Sequence, residues 1–249
     1  LVDEHGVYQQ LSTSLLQIEN EYYSTIRPKR STQSGETPIK ALKERGVEYV
    51  EVRAIDVNPF LPLGIDEQQA NFLDCFLLYC ALLPSPRFAS VDYPNMRSNL
   101  ERVIDQGRDP ELALIHDGGE RSLGNWGSDL LAEMAPVADA LDASNGGDRY
   151  RQALQMQQQR LEDPGLTPSA AILAALDEDQ ESFFRFAMNQ SLAHRECFSQ
   201  QSPGTAVSQQ LAQAAEHSHR RRAEIEAGDE LDFDAYLEQY FRQYRELGL

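Results

Sequence analysis

The chain has 249 residues, of which 41% are hydrophobic and 25% are charged, so a folded globular protein is expected rather than a disordered one. Its 40 acidic residues outnumber its 22 basic residues, which gives a formal net charge of −18. This balance excludes a nucleic-acid-binding protein whose whole surface is basic, and it disfavours attachment to anionic membranes. It leaves room for a local basic site that binds a phosphate-bearing ligand.

The cysteine content and the apolar runs predict a cytoplasmic protein. Three cysteines are too few for a disulfide framework, which indicates a reducing compartment. The longest apolar run, 75–83, is far shorter than the roughly 20 residues that a membrane span needs. The first residues are acidic, whereas the start of a secretion signal is basic.

Two segments near the N-terminus, 14–23 and 47–56, alternate in polarity and are rich in β-branched and aromatic residues, which predicts two strands. In the second, Tyr49, Glu51 and Arg53 share one face because side chains alternate along a strand. A carboxylate beside a guanidinium could bind a metal ion and an anionic ligand. It could equally be an ordinary ion pair in solvent, and the pattern alone leaves both interpretations open.

Three cations follow the first predicted strand within four residues, in a segment predicted to be a loop: Arg27, Lys29 and Arg30. Together with the hydroxyl residues after them, they could contact phosphate oxygens. A solvated loop without a ligand is the alternative. The segment lacks the glycine and lysine spacing of a Walker loop.

The remainder is predicted to be mainly helical. A short helix begins after Thr37 as N-cap and ends before Gly46, and the first long helix begins after Asp66 as its cap. Further helices are predicted near 94–106, 127–143, 147–162, 167–177, 180–197, 205–227 and 232–247. The expected division is a sheet segment, 1–63, followed by a helical region, 64–249.

The first long helix is predicted to bury one apolar stripe, consisting of Phe72, Leu73, Phe76, Leu77, Cys80 and Ala81. Cys75 and Cys80 lie five residues apart, on different faces of a helix, so buried thiols are favoured over a metal site. Residues 116–119, with the sequence H-D-G-G, are predicted to form a turn.

The chain resembles the proteobacterial glutamate–cysteine ligases, or γ-glutamylcysteine synthetases, in two long stretches: L-Q-I-E-N-E-Y-Y-S-T-I-R-P-K-R at 16–30 and G-V-E-Y-V-E-V-R-A-I-D-V-N-P-F at 46–60. The resemblance continues with G-I-D-E-Q-Q at 64–69, N-G-G at 145–147 and G-L-T-P-S-A at 165–170. It covers most of the chain, which begins at Leu1 and resembles the C-terminal half of that enzyme.

This resemblance implies an α+β fold, in which two or three strands of an antiparallel active-site sheet precede a mainly α-helical C-terminal region. The complete enzyme would have a glutamine-synthetase-like ligase fold. The implied reaction joins the γ-carboxylate of glutamate to cysteine through γ-glutamyl phosphate, as the first step of glutathione biosynthesis. ATP is the implied co-substrate and Mg²⁺ the implied cofactor, with Mn²⁺ possible. The N-terminal half of the enzyme is an implied partner, and the chain alone is expected to be inactive.

The resemblance also implies roles for individual residues. Glu51 matches a magnesium ligand, Arg53 matches a catalytic arginine that contacts the transferred phosphoryl group, and Tyr23 matches a tyrosine at the pocket for the acceptor cysteine. Carboxylates suit Mg²⁺, and a guanidinium fork suits phosphate oxygens. The remaining candidates, for which we hypothesise contacts to nucleotide or phosphate, are Arg27, Lys29 and Arg30.

Two other functions stay open at this point. The helical part, 64–249, carries amphipathic stripes and could be an interaction module that docks to a partner. The chain could also belong to a related carboxylate–amine ligase with a different acceptor, a choice that would depend on Tyr23 and its neighbours.

Overall fold

The computed structural model of the protein describes residues 2–180, 182–201 and 203–248. The strands are Ile26–Lys29 (β1), Tyr49–Val52 (β2), Ala113–His116 (β3) and Gly119–Ser122 (β4). The α-helices are Pro38–Arg45 (α1), Glu67–Leu82 (α2), Asp92–Gln106 (α3), Leu123–Asn145 (α4), Arg149–Glu162 (α5), Pro168–Asp179 (α6), Phe183–Ser199 (α7), Thr205–Ala227 (α8) and Phe233–Leu247 (α9). Two small antiparallel sheets among many helices confirm the predicted α+β class.

Contacts between residues divide the chain into two compact units. One combines Leu1–Asp56 with Ser202–Leu249, and the other is Val57–Gln201. The helices α8 and α9 therefore belong to the same unit as the first sheet, although they lie far from it in sequence. The division into 1–63 and 64–249 stays a prediction about where the functional parts lie. Among the described residues, no helix combines the length and the apolar composition that crossing a membrane requires.

The first sheet pairs β1 with β2 in antiparallel register, with Arg27 opposite Glu51 and Lys29 opposite Tyr49. The strand predicted over 47–56 is confirmed in its central part. The strand predicted over 14–23 is wrong, and the segment predicted as a loop from Arg27 onward begins instead as β1. The helix predicted after Thr37 is confirmed as α1.

Local hydrogen bonds explain the missing first strand. The Gln17 side-chain carbonyl accepts the backbone N–H groups of Leu11 and Ser12 at 2.7 and 2.8 Å. The Glu21 carboxylate accepts the Gln17 backbone N–H at 2.7 Å. Of these three donors, the Gln17 N–H lies within 14–23, and there the Glu21 side chain satisfies a backbone donor that a strand would use. Because a strand also needs a paired neighbour, alternation in 14–23 is not sufficient to make one.

The core of the second unit lies between α2, α4 and α5. Its buried members are Cys75, Tyr79, Leu131, Met134, Val137, Ala138, Tyr150 and Leu154. On α2 the buried row is Asn71, Cys75 and Tyr79, while Phe72 and Phe76 are half-buried beside it. The predicted stripe therefore lies about one residue away from the face that is buried most.

Two details of α2 follow from this packing. The burial of Cys75 is confirmed, and its desolvation raises the pKa of the thiol to about 11. The predicted burial of Cys80 is wrong, since this cysteine is exposed. Tyr79 tolerates burial because its hydroxyl donates a hydrogen bond to Glu133.

The strands β3 and β4 form a hairpin inside the region that was predicted to be helical. The predicted turn is confirmed, with positive φ angles of 47° at Asp117 and 77° at Gly118. An Asp-Gly pair between short apolar and polar runs is a strong hairpin signal, so this hairpin could have been predicted from the sequence. Asn99 on α3 bonds both backbone groups of Ile115 at 2.8 Å, which covers the open edge of β3.

Candidate active site

The first sheet presents one face of charged side chains. In the antiparallel pair, Arg27 lies opposite Glu51 and Lys29 lies opposite Tyr49, so all four side chains project from the same side. Arg53, two residues after Glu51, joins them at the end of β2. We refer to Arg27, Lys29, Tyr49, Glu51 and Arg53 as the charged face. The sequence placed three of them together, and the strand pairing adds Arg27 and Lys29.

Glu51 lies between two cations of this face. Its Oε1 accepts a hydrogen bond from Arg53 Nε at 2.7 Å, and its Oε2 lies 3.1 Å from Lys29 Nζ. These contacts, with that of Arg53 the larger, lower the pKa of Glu51 to about 2, so the group is a carboxylate at neutral pH. The side chains are about 30% exposed, and ion pairs at such positions contribute little to stability.

Tyr23 contacts the charged face through Arg53, although the strand predicted over 14–23 does not form. The Arg53 guanidinium carbon lies 4.9 Å from the centroid of the Tyr23 ring, within the range of a cation–π contact. The Arg53 backbone N–H donates to the Thr25 carbonyl at 2.8 Å, which holds the segment after Tyr23 against the end of β2. The Tyr23 side chain remains 75% exposed, so its ring is accessible.

The three cations of the predicted loop make different contacts in the structure, although Arg27 and Lys29 share the charged face. Lys29 contacts Glu51, as described above. Arg27 Nη1 lies 3.4 Å from the Asn20 carbonyl. Arg30 Nε lies 3.9 Å from the carboxylate of Glu48, outside the group around Glu51. Of Arg27, Lys29 and Arg30, it is therefore Lys29 that contacts the Glu51 carboxylate directly.

Glu48 is a residue that sequence reasoning missed. Its carboxylate accepts the backbone N–H of Ser31 at 2.9 Å and faces Arg30. The backbone hydrogen bond from Ser31 is the main cause that lowers the pKa of Glu48. The contact joins residues 17 positions apart, and it follows from the pairing of β1 with β2. Since β1 itself was predicted to be a loop, no local signal could have revealed it.

Glu51 is the one carboxylate of the charged face and therefore its candidate ligand for a metal ion. Within the described ranges 2–180, 182–201 and 203–248, there is no group of three or more His, Cys, Asp or Glu side chains that could hold a metal ion. Mg²⁺ commonly uses only one or two carboxylates and takes its other ligands from phosphates and water. Glu51 is ionised and therefore fits as one such ligand, in competition with Lys29.

Comparisons with known proteins agree with the sequence resemblance. Residues 1–103 match the family described as Glutamate-cysteine ligase. The chain is 46% identical to the glutamate–cysteine ligase of Alcanivorax borkumensis, over 96% of this chain and 46% of that protein. It is 48% identical to the enzyme of the same name from Azotobacter vinelandii, over 94% of this chain and 44% of that protein.

A solved structure shares the fold. The crystal structure of the Francisella tularensis glutamate–cysteine ligase in complex with AMP matches with a TM-score of 0.88 and 33% identity, over 99% of this chain and 48% of that chain. The chain thus spans about half the length of the relatives that it matches. The chain is therefore similar in sequence and in fold to glutamate–cysteine ligases over nearly its whole length.

Proposed function

We propose that the chain is part of an ATP-dependent ligase that joins the γ-carboxylate of glutamate to the amino group of cysteine. One observation carries the proposal: in a chain similar to proteins named glutamate–cysteine ligase, Lys29, Glu51, Arg53 and Tyr23 converge on one open sheet face. The AMP in the Francisella structure supports ATP as the co-substrate. In this proposal the protein acts in the cytoplasm, in the first step of glutathione biosynthesis.

The proposed reaction has two steps. First, an oxygen of the glutamate γ-carboxylate bonds to the γ-phosphorus of ATP, and the bond from that phosphorus to the bridging oxygen breaks to release ADP. Second, the cysteine nitrogen attacks the carbonyl carbon of γ-glutamyl phosphate, phosphate departs with the C–O bonding pair, and the nitrogen loses a proton. Both steps concentrate negative charge on phosphoryl oxygens, so positioning and charge neutralisation supply most of the catalysis.

Arg53 is proposed to bind the transferred phosphoryl group. Its guanidinium carries several N–H donors, of which Nε bonds Glu51, so the others can reach phosphate oxygens. The contacts to Glu51 and to the Tyr23 ring fix its orientation on two sides. Pre-positioned charge of this kind is worth more to a transition state than a freely moving side chain.

The other residues of the site receive roles that follow from their chemistry. Glu51 would provide a carboxylate ligand to Mg²⁺, or to Mn²⁺ as a second candidate, and that ion would neutralise the phosphate oxygens of bound ATP. Tyr23 would line the pocket for cysteine, beside Arg53. The remaining cations would contact nucleotide or phosphate, and they are Arg27, Lys29 and Arg30.

The experiment that tests this function uses the complete protein, meaning this chain with any sequence that flanks it in its gene. Sustained ADP release should require glutamate, cysteine, ATP and Mg²⁺ together, because cysteine must discharge the γ-glutamyl phosphate before the next turnover, and γ-glutamylcysteine should be the product. Arg53→Ala should lower kcat by about a thousandfold or more, the range seen when an arginine that contacts a transferred phosphoryl group is lost. ATP binding should persist in this variant.

Arg242→Ala is the matched control, because Arg242 forms an exposed ion pair with Glu238 within α9. Its turnover should equal that of the unmodified protein. Unchanged turnover in Arg53→Ala would refute the role of Arg53. Faster turnover with an amine other than cysteine would instead favour a related ligase with a different acceptor.

A further inference from the structure

The segment between β1 and α1, residues 30–37, is fastened by side chains from other parts of the chain. We call it the β1–α1 loop. Arg45 on α1 donates to the Ser31 carbonyl at 3.1 Å and pairs with Glu36 at 2.7 Å. Glu48 accepts the Ser31 backbone N–H. Arg45 therefore joins the start of the loop to its end.

A second set of hydrogen bonds to the β1–α1 loop comes from the C-terminal helix, α9. Gln243 on α9 donates through Nε2 to the Gly35 carbonyl at 2.8 Å and accepts the Thr37 backbone N–H through Oε1 at 3.0 Å. One amide thus satisfies two backbone groups that lie two residues apart. Gln243 is only 8% exposed, and Thr37 is fully buried, so water does not readily replace these bonds. Gly35 adopts a φ of +74°, which marks the bend that presents its carbonyl to Gln243.

The contacts of Arg45 and those of Gln243 hold one continuous stretch of backbone. Gln243 bonds Gly35 and Thr37, which flank Glu36, and Glu36 is joined through Arg45 to Ser31. A shift of the end of the loop would therefore be transmitted to its start. Arg30 is the first residue of the loop and Lys29, the last residue of β1, precedes it. The proposed function assigns both to nucleotide or phosphate.

We propose that Gln243 is a positioning residue for ATP binding, because it holds the β1–α1 loop so that Arg30 and the adjoining Lys29 meet the phosphates. This inference rests on the proposed function. The simpler alternative is that Gln243 only fastens the start of α1, where Glu19 also accepts the Ile39 backbone N–H at 2.9 Å. The two explanations differ in what they predict for ATP.

The test replaces Gln243 by methionine in the complete protein, since methionine keeps the length of the side chain and removes both hydrogen bonds. Gln239→Met is the matched control: the same change one turn earlier on α9, at an exposed position. We expect Gln243→Met to raise both the KM and the Kd for ATP about tenfold, equivalent to one net hydrogen bond, while KM for cysteine stays unchanged. Backbone amides of 31–37 should exchange with deuterium faster.

Gln243→Glu is the second variant, and it keeps the acceptor for Thr37 while losing the donor to Gly35. Because its second oxygen then faces and repels the Gly35 carbonyl at a buried position, this variant should weaken ATP binding at least as much as Gln243→Met does. Either variant that folds provides the test. An unchanged Kd for ATP in a folded Gln243 variant would overturn the inference, whatever the exchange rates show. If the unmodified protein binds ATP but makes no γ-glutamylcysteine, the proposed function fails, while a selective loss of ATP binding in Gln243→Met would still support the positioning role.

Discussion

The residues of the charged face owe their protonation and orientation to one another. Glu51 has Arg53 on one oxygen and Lys29 on the other, and these cations keep it ionised far below neutral pH. Arg53 is in turn held between Glu51 and the ring of Tyr23. Each side chain is thereby restricted before any ligand arrives, which lowers the entropy cost of binding an anion at this face.

A second ion pair of the same unit is better protected from solvent. Both oxygens of Glu36 accept hydrogen bonds from Arg45 at 2.7 Å, and the Glu36 side chain is only 10% exposed. Arg45, together with the Gln33 backbone N–H, lowers the pKa of Glu36 to about 2. Because the ordinary value is 4.5, the unfolded state takes up the proton at a higher pH than the folded state.

This pair predicts a specific acid dependence of stability. The contribution of Glu36 is fully present above about pH 4.5, and it is lost as the pH falls through that value toward about 2. At pH 7, Glu36→Gln should therefore lower the urea midpoint of the complete protein, and the difference should shrink steadily between pH 5 and about pH 3. Unfolding curves measured at several pH values provide the test.

Glu224→Gln is the control for this prediction, because Glu224 pairs with Arg221 on α8 with both side chains well exposed. Its effect on the midpoint should be small at every pH. A difference between Glu36→Gln and the unmodified protein that stays constant down to pH 3 would refute the prediction.

At the scale of secondary structure, a single buried carboxylate joins α4 to α5. Asp142, near the end of α4, accepts the backbone N–H groups of Tyr150 and Arg151 at 3.0 Å each. These donors belong to the first turn of α5, where backbone N–H groups have no acceptor within the helix. The bend between the helices uses Gly146 and Gly147, both with positive φ. The carboxylate thus acts as a cap supplied from another helix.

Removing this cap should destabilise the second unit. Asp142→Ala leaves two N–H groups without their acceptor, one of them on a buried residue, so we expect a loss of about 1–3 kcal/mol in the free energy of unfolding. Asp139→Ala is the control, since Asp139 also pairs with Arg151 but is about half exposed. It should cost less than about 1 kcal/mol. Urea unfolding of both variants provides the measurement. Equal losses in the free energy of unfolding would contradict the explanation that Asp142 caps α5.

At the scale of the whole molecule, the chain is about half as long as its relatives. The charged face contributes one carboxylate, a few cations and an exposed tyrosine, which is a small part of what the proposed two-step phosphoryl and acyl transfer would require. Positioning of the reacting groups supplies much of the rate of such reactions. An incomplete set of positioning groups should therefore give very little turnover.

The chain on its own should accordingly release no ADP above background when it is mixed with glutamate, cysteine, ATP and Mg²⁺. The complete protein, assayed at the same concentration, is the control and should be active. An intact mass of 28.1 kDa would establish that no second chain is present in the sample. Activity from that single species would refute the prediction.

Local signals in the sequence predicted most of the helices and part of the site. Asp66 caps α2 as expected, by accepting the Gln69 backbone N–H at 2.8 Å. The period of two along 47–56 placed Glu51 beside Arg53, and their contact confirms it. These predictions succeeded because capping and strand alternation depend on residues only a few positions apart.

What the sequence by itself determined is therefore the helical pattern, the pairing of Glu51 with Arg53, and the similarity of the chain to glutamate–cysteine ligases. The tertiary structure alone decided that β1 forms at 26–29, that Lys29 lies beside Glu51, and that Gln243 bonds the β1–α1 loop more than 200 residues away. The physical reason is that strand partners and buried hydrogen bonds depend on which distant segments pack together. Local propensity is a weak guide to that choice, because tertiary packing overrides it.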